Sequence, residues 1–303
     1  MYDSTDPRST LGTAASAVAT PLGPDIAAPE FYDFSELAPD EVSAAGSRTW
    51  LTRAQNVVLG YVSPVAGDSL GHTDLATEQM VILAHDGSAA EFRTAEGARE
   101  VRGRAVVIIP PGPAEIVALG EGDLIRLVDT LTDDWPERAR NADSYARPHP
   151  RVTQLDHWPA PPGGDQLRVY LLDDVPKDPN RFGRIFRSRA FMVNFLNHYD
   201  GPRDRGKLSP HHHDDFEQLS VAVSGQFLHH IRTPWGTNAD HWRDDEHARV
   251  ASPSVAVIPP PTVHTSAAVG TGRNQLIDIF APPRVDFSAK PGWVLNADEY
   301  PAP

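Results

Sequence analysis

FEQLSVAVSG, residues 216–225, repeats a stretch from earlier in the chain, TEQMVILAHDG, residues 77–87. The two align through Glu78-Gln79 and Glu217-Gln218, and each runs into apolar residues closed by a glycine. A second pair follows in the same order: VVIIPPGPAE (106–115) lies over VAVIPPPTVH (255–264). The second copy is longer between its two matches, and the extra residues fall in the loop RTPWGTNADHWRDDEHA (232–248). Chance similarity of apolar runs would not keep a shared Glu-Gln and a shared Ile-Pro-Pro in one order. The chain is therefore read as two copies of one unit.

The rest of the sequence says what kind of unit this is. Short runs rich in Val and Ile recur at 56–62, 79–84, 104–110, 124–130, 167–173, 189–196, 218–225, 254–260 and 275–280, bounded by turn residues. Their length and punctuation predict an all-β barrel or sandwich. One helix is expected near 133–146. The Pro/His/Gly-rich segment 147–165 reads as a linker. This gives an N-terminal arm over 1–48, a first unit over 49–146, the linker, and a second unit over 166–303, with the tail packed through Trp293 and Tyr300.

Composition narrows the function. A net charge of −14 argues against nucleic acid or an anionic membrane surface as partner. The absence of cysteine removes disulfides, thiolate nucleophiles and Cys-ligated metals. No apolar run is long enough to span a membrane. The Ala/Ser/Thr/Pro-rich start lacks the basic and Leu-rich parts of a signal peptide, so a cytoplasmic, soluble enzyme or binding protein for a small molecule is expected.

The chemistry concentrates in SPHHHDDFEQ (209–218). On an extended strand His211, His213 and Glu217 share one face, and the same parity continues into Leu219, Val221 and Val223 as a barrel lining. His264, after the stiff Pro259-Pro260-Pro261, is the candidate fourth ligand from another strand. Three imidazoles and a carboxylate suit one divalent transition metal: Fe, Mn, Ni, Zn or Cu. His212 has the opposite parity and is expected at the surface.

These residues resemble the motifs of the cupin superfamily. HHHDDFE fits a first motif of His-x-His followed three or four residues later by Glu, with Gly225 closing the strand pair. PPPTVH is similar to the second, Pro-x-Gly-x-x-His, with Pro261 where Gly is usual and Ala268 where Asn is customary. With the duplication, the chain resembles a bicupin with its metal motif intact only in the C-terminal unit. The resemblance implies duplicated double-stranded β-helix (jelly-roll) barrels with little helix. It covers about residues 50–130 and 165–285, and does not choose a reaction. The first copy places His72, Asp74, Glu78 and Glu115 over His211, His213, Glu217 and His264. It is read as a degenerate site, against the alternative of an oxygen-rich site for Mn, Mg or Ca.

Other candidates follow from position. Either His229 or His230 faces the interior, as a general base or substrate partner. Asn194, Arg232 and Trp235 are candidate substrate contacts, and Asn197 a strand-end cap. Arg187, Lys207 and Arg232 could meet an acidic substrate, whereas Phe227, Trp235 and Trp242 could form an apolar mouth. His149, His157, His241 and His247 are expected in solvent. Three functions stay open. The first is metal-assisted proton transfer on a hydroxy-carbonyl or sugar-acid substrate, of isomerase, epimerase or lyase type, with Glu217 as ligand and base. The second is an O2-dependent dioxygenase. The third is non-catalytic small-molecule binding. A homodimer is expected on the ground that barrel edges are often covered, by a partner or by the N-terminal arm.

Overall fold

The computed structural model describes residues 7–10, 26–131, 134–176, 178 and 180–303. Each of the apolar runs forms a strand, and all pairings between strands are antiparallel. They build two large sheets. One runs Arg168–Leu171, Ala105–Ile109, Gln79–Leu83, Leu124–Asp129, Val57–Ser63, Arg48–Arg53 and Glu41–Val42. The other runs Glu30–Asp33, Ser254–Ile258, Gln218–Ser224, Arg273–Phe280, Met192–Leu196 and Gly183–Arg187, with Tyr199–Asp200 attached to Arg273–Phe280. Each large sheet is backed by a smaller one. For the first unit this is Ser69–Leu75, Gly112–Ala118, Ala89–Thr94 and Gly97–Arg102; for the second, Glu246–Val250, Phe227–Arg232 and Val263–Ala268. The result is two barrels whose large sheets face each other.

That face-to-face contact holds the main core. Leu59, Met80, Ile82, Ile125 and Leu127 of the first barrel pack in one cluster with Val193, Leu219, Val221, Ile277 and Ile279 of the second. Each such fully buried side chain contributes about 1.5–3 kcal/mol. This corrects the expected lining. Leu219, Val221 and Val223 face the neighbouring barrel, and Gln218, Ser220 and Ala222 face the interior of their own. The strand begins at Gln218, after a bend at Asp214-Asp215, so the parity counted from His211 does not carry through to Glu217.

The barrels also exchange edge strands. Glu30–Asp33, from the N-terminal arm, pairs with Ser254–Ile258 of the second barrel. Arg168–Leu171, expected in the second unit, pairs with Ala105–Ile109 of the first. Both edges are thus covered within one chain. Among the described residues helix is limited to single turns, including Trp135–Arg138 and Ala142–Tyr145 where one helix was expected; residue 133 lies outside the described residues. The segment 147–165 is a packed strap: Val152 and Trp158 are buried, and Trp158 N–H donates to the Arg189 carbonyl. Trp293 and Tyr300 are buried in the tail. No helix among the described residues is long and apolar enough to cross a membrane.

Candidate metal centre

Two strands and a turn bring three histidines together inside the second barrel. His211 and His264 face each other across an antiparallel bridge, each backbone N–H donating to the other's carbonyl at 3.0 and 2.7 Å. Their ring centroids are 4.4 Å apart, and His213 lies 5.1 Å from both. One ring nitrogen from each of the three lies within 4.8 Å of the others.

The rings are oriented from behind. His211 Nδ1 lies 2.8 Å from the Ser209 carbonyl, and His264 Nδ1 lies 3.0 Å from the Thr262 carbonyl. A carbonyl only accepts, so Nδ1 carries the proton in both rings and Nε2 keeps its lone pair. His264 Nε2 is buried without a hydrogen-bond partner. Burial pushes all three imidazoles down: His264 to about 4, and His211 and His213 well below the ordinary range. At neutral pH they are neutral nitrogen donors.

A fourth donor sits beside them, and it is Gln218. Its Oε1 accepts from His213 Nε2 at 2.9 Å, so Nε2 carries the proton in that ring. Its Nε2 donates to Ser220 Oγ at 2.8 Å and Asp278 Oδ1 at 3.1 Å, and the Ser220 hydroxyl donates to the same Oδ1 at 2.6 Å. Burial raises Asp278 to about 6. Three neutral imidazoles, one with an orphaned buried nitrogen, beside an amide oxygen fixed by a carboxylate, are a donor set that fits a divalent transition metal. His211 and His264 open onto a cavity of about 390 Å³ that Gln218 and Asp278 also line. Phe182, Leu196, Phe227 and Leu276 give it an apolar wall, and Arg8, Arg181, Arg203 and Lys207 also line it.

Glu217 is not at this cluster. It is buried on the opposite side of the chain, where it accepts from Gln55 N–H at 2.6 Å and the Tyr145 hydroxyl at 3.0 Å and meets His149 Nδ1 at 3.1 Å. Glu78 does the same in the other direction, accepting from Arg189 N–H at 3.1 Å and the Tyr300 hydroxyl at 2.9 Å. Gln55 and Arg189 occupy equivalent hairpin turns, one in each barrel. The repeated glutamate is thus a reciprocal clasp between barrels, and the repeated glutamine is the residue that turns inward. Gln218 stands five residues after His213, one beyond the spacing from which Glu217 was read.

The remaining candidates are dispersed. His229 is the inward member of its pair, fully buried, with Nδ1 2.8 Å from Ser266 Oγ and burial pushing it to about 3; it lies against Phe31 and Phe227 and does not line the cavity. His230 is on the outer face against His247, 2.8 Å between Nδ1 atoms. Arg232 pairs with Asp245 at the surface, and Trp235 stacks on Trp242, both exposed. Asn194 is fully buried in the barrel opposite Asp278, its amide without partners, and is not among the cavity residues. Arg187 is buried, donating to the Tyr300 carbonyl. His149 and His157 are not free in solvent: His149 meets Glu217, and His157 Nε2 lies 3.0 Å from Asp129. His212 is exposed as expected, near Asp214.

Among the described residues, the first barrel brings no equivalent set together. His72 is exposed and 3.4 Å from Glu115, which is tied to Arg93 and Ser69; Asp74 is also exposed, and Glu78 belongs to the clasp. The equivalent interior rung is filled by Arg126, which donates to the Leu70 carbonyl and lies 4.9 Å from the Trp135 ring.

Comparison with solved structures identifies the fold. The chain is similar to the oxalate decarboxylase of Lactobacillus farciminis in a formate complex, with a TM-score of 0.56 and 14% identity over 84% of this chain and 86% of that one. A variant of the Bacillus subtilis oxalate decarboxylase gives 0.54 at 15% identity, over 92% and 79%. A further oxalate decarboxylase structure gives 0.55 at 14%, over 97% and 85%. No protein-family model and no curated protein matches the sequence. At these identities the likeness establishes architecture: two cupin barrels in one chain.

Proposed function

We propose that the second barrel is a metal-dependent catalytic site acting by proton transfer on a small oxygenated substrate. One divalent transition metal would be held by His211, His213 and His264, with Gln218 at the fourth position. The observation that carries this reading is the buried, unpartnered His264 Nε2, which clusters with the two other imidazoles beside one cavity that His211 and His264 line.

A metal bound there supplies a Lewis acid that polarises a carbonyl and acidifies the adjacent C–H. The chain's own residues supply the rest. Asp278 Oδ1 holds Gln218 and Ser220, which leaves Oδ2 to accept a proton from a substrate in the cavity. Phe182, Phe227 and Leu276 give the cavity an apolar wall. Glu217, expected as ligand and base, has its carboxylate committed to the clasp and takes neither role. The neighbours, named oxalate decarboxylases, favour the lyase branch of this chemistry. The first barrel serves as scaffold.

The test is reconstitution with Mn, Fe, Ni, Zn and Cu in turn, elemental analysis, and incubation with hydroxy-carbonyl acids in D2O followed by NMR. One metal per chain is expected, with deuterium entering beside the carbonyl or replacing a lost carboxylate. Asp278→Asn should stop that exchange and keep the metal. A chain that takes up no metal overturns the reading. Stoichiometric O2 consumption would replace proton transfer by dioxygenase chemistry.

A further inference from the structure

Resting on that metal reading, we propose that the cavity takes a substrate bearing a carboxylate remote from its metal-binding end, and that Arg203, supported by Lys207, receives it. Arg203 is fastened by neutral acceptors. Nη1 donates to the Ser266 carbonyl at 3.2 Å, and Nη2 donates to the Lys207 carbonyl at 2.8 Å and the Ser209 hydroxyl at 2.6 Å. The Tyr199 ring lies 5.7 Å from the guanidinium carbon. Two of the five guanidinium N–H groups remain unused. Neither Arg203 nor Lys207 makes an ion pair among the described residues, whereas Arg181 on the same cavity has Asp178 at 3.6 Å. Asp204, the nearest acidic residue in sequence, spends Oδ1 on the Gly206 N–H. A half-buried guanidinium held rigid without a counter-ion is set up for a carboxylate from outside the chain.

Its placement gives the length of the ligand. His211 and His264 form one rung between two chain segments. Ser209 and Ser266, two of the three residues that fix Arg203, each lie two positions from that rung on their own segment and toward the same end of it. Two residues of extended chain span about 7 Å. The same cavity is lined by the apolar Phe227 and Leu276. The ligand therefore has an oxygen-donor end at the histidines, a short aliphatic middle, and a carboxylate at Arg203. Two directly joined carboxylates are too short to reach both ends.

Calorimetry on the zinc-loaded full chain tests this with glutarate, pentanoate and oxalate as probes. Glutarate should bind about tenfold or more tightly than pentanoate, because a hydrogen bond to a charged group is worth roughly 1.5–3 kcal/mol. Oxalate should show no dependence on Arg203. The glutarate margin should fall below about twofold in Arg203→Gln and shrink by roughly threefold in Lys207→Gln, zinc content being unchanged in both. The exposed Lys207 carries no side-chain bond of the fold, so its variant decides the matter should Arg203→Gln not fold. No margin in the wild type, or a margin that survives substitution, overturns the proposal. Failure to take up zinc is seen before any probe is added and removes the metal reading and this one together.

Discussion

The two barrels differ most at one rung. In the first, Arg126 is paired with Val81 on one side and Gly60 on the other; in the second, the same rung holds Asp278 between Ser220 and Asn194. The backbone ladder is the same. In the first barrel the guanidinium reaches across the interior to the Leu70 carbonyl and lies over Trp135, while Val81, Phe92, Val107 and Ile116 fill the remainder. In the second, Ser220 and Asp278 are short, polar and hydrogen-bonded to Gln218, and a cavity remains. The two copies of the barrel thus differ in whether that rung fills the interior or leaves it open. The clasp glutamates, identical in both copies, serve the assembly of the two.

The sharpest way to break this contrast is to remove one histidine. His264→Ala should abolish metal uptake by the chain, with a metal-to-chain ratio near zero after dialysis. Glu115→Ala, at the equivalent place in the first barrel, should leave the ratio at one. Next in size is the clasp. Glu217→Ala and Glu78→Ala each strand buried donors on the opposite barrel, at about 1–3 kcal/mol for each group left unsatisfied. Both should lower the urea midpoint by similar amounts and keep the metal. Loss of metal in the Glu217 variant alone would return that residue to the ligand set.

How far the sequence could be read follows from which faces are buried. Strands of the large sheets are covered on both sides, so they appear as continuous Val/Ile runs and are legible. Strands of the small sheets, such as GAREVR at 97–102, expose all but one residue and carry too few apolar positions to be recognised. Double burial also hides parity. In QLSVAVS both faces are buried, so nothing in the pattern says which one lines the barrel. The histidines were legible because motif spacing fixed them, and His264 because its partner motif did. Glu217 was misassigned because the bend at Asp214-Asp215 breaks the alternation just before it. Arg203 was not singled out, since its role comes from Ser209 and Ser266, which pairing brings together from distant segments.

A smaller effect tests the orientation of Gln218. Asp278→Ala removes the acceptor that fixes the amide, and partners of a ligand in this position are typically worth about 10–100-fold in metal affinity. Asp278→Asn, which keeps an oxygen there, should recover most of that. Arg126→Met, on the equivalent rung of the first barrel, should leave metal affinity untouched.

The smallest expected effect concerns the strap 147–165, which touches each barrel through one His–carboxylate pair. At the second barrel, burial draws His149 down but Glu217 outweighs it, and the imidazole ends above its ordinary range. That contribution is complete below the unfolded value of about 6.5 and is lost as pH rises through the folded one. At the first barrel, burial pushes Asp129 up but His157 and the Leu131 N–H outweigh it, and the carboxyl ends below its range. That contribution is complete above the unfolded value of about 3.9 and is lost as pH falls through the folded one. The two pairs are therefore both at full strength only between about pH 4 and 6.5. Urea midpoints of the wild type and of His149→Gln should converge as pH rises above that window, and those of the wild type and of Asp129→Asn as pH falls below it. Parallel curves across the whole range would mean that neither His–carboxylate pair helps to hold the strap.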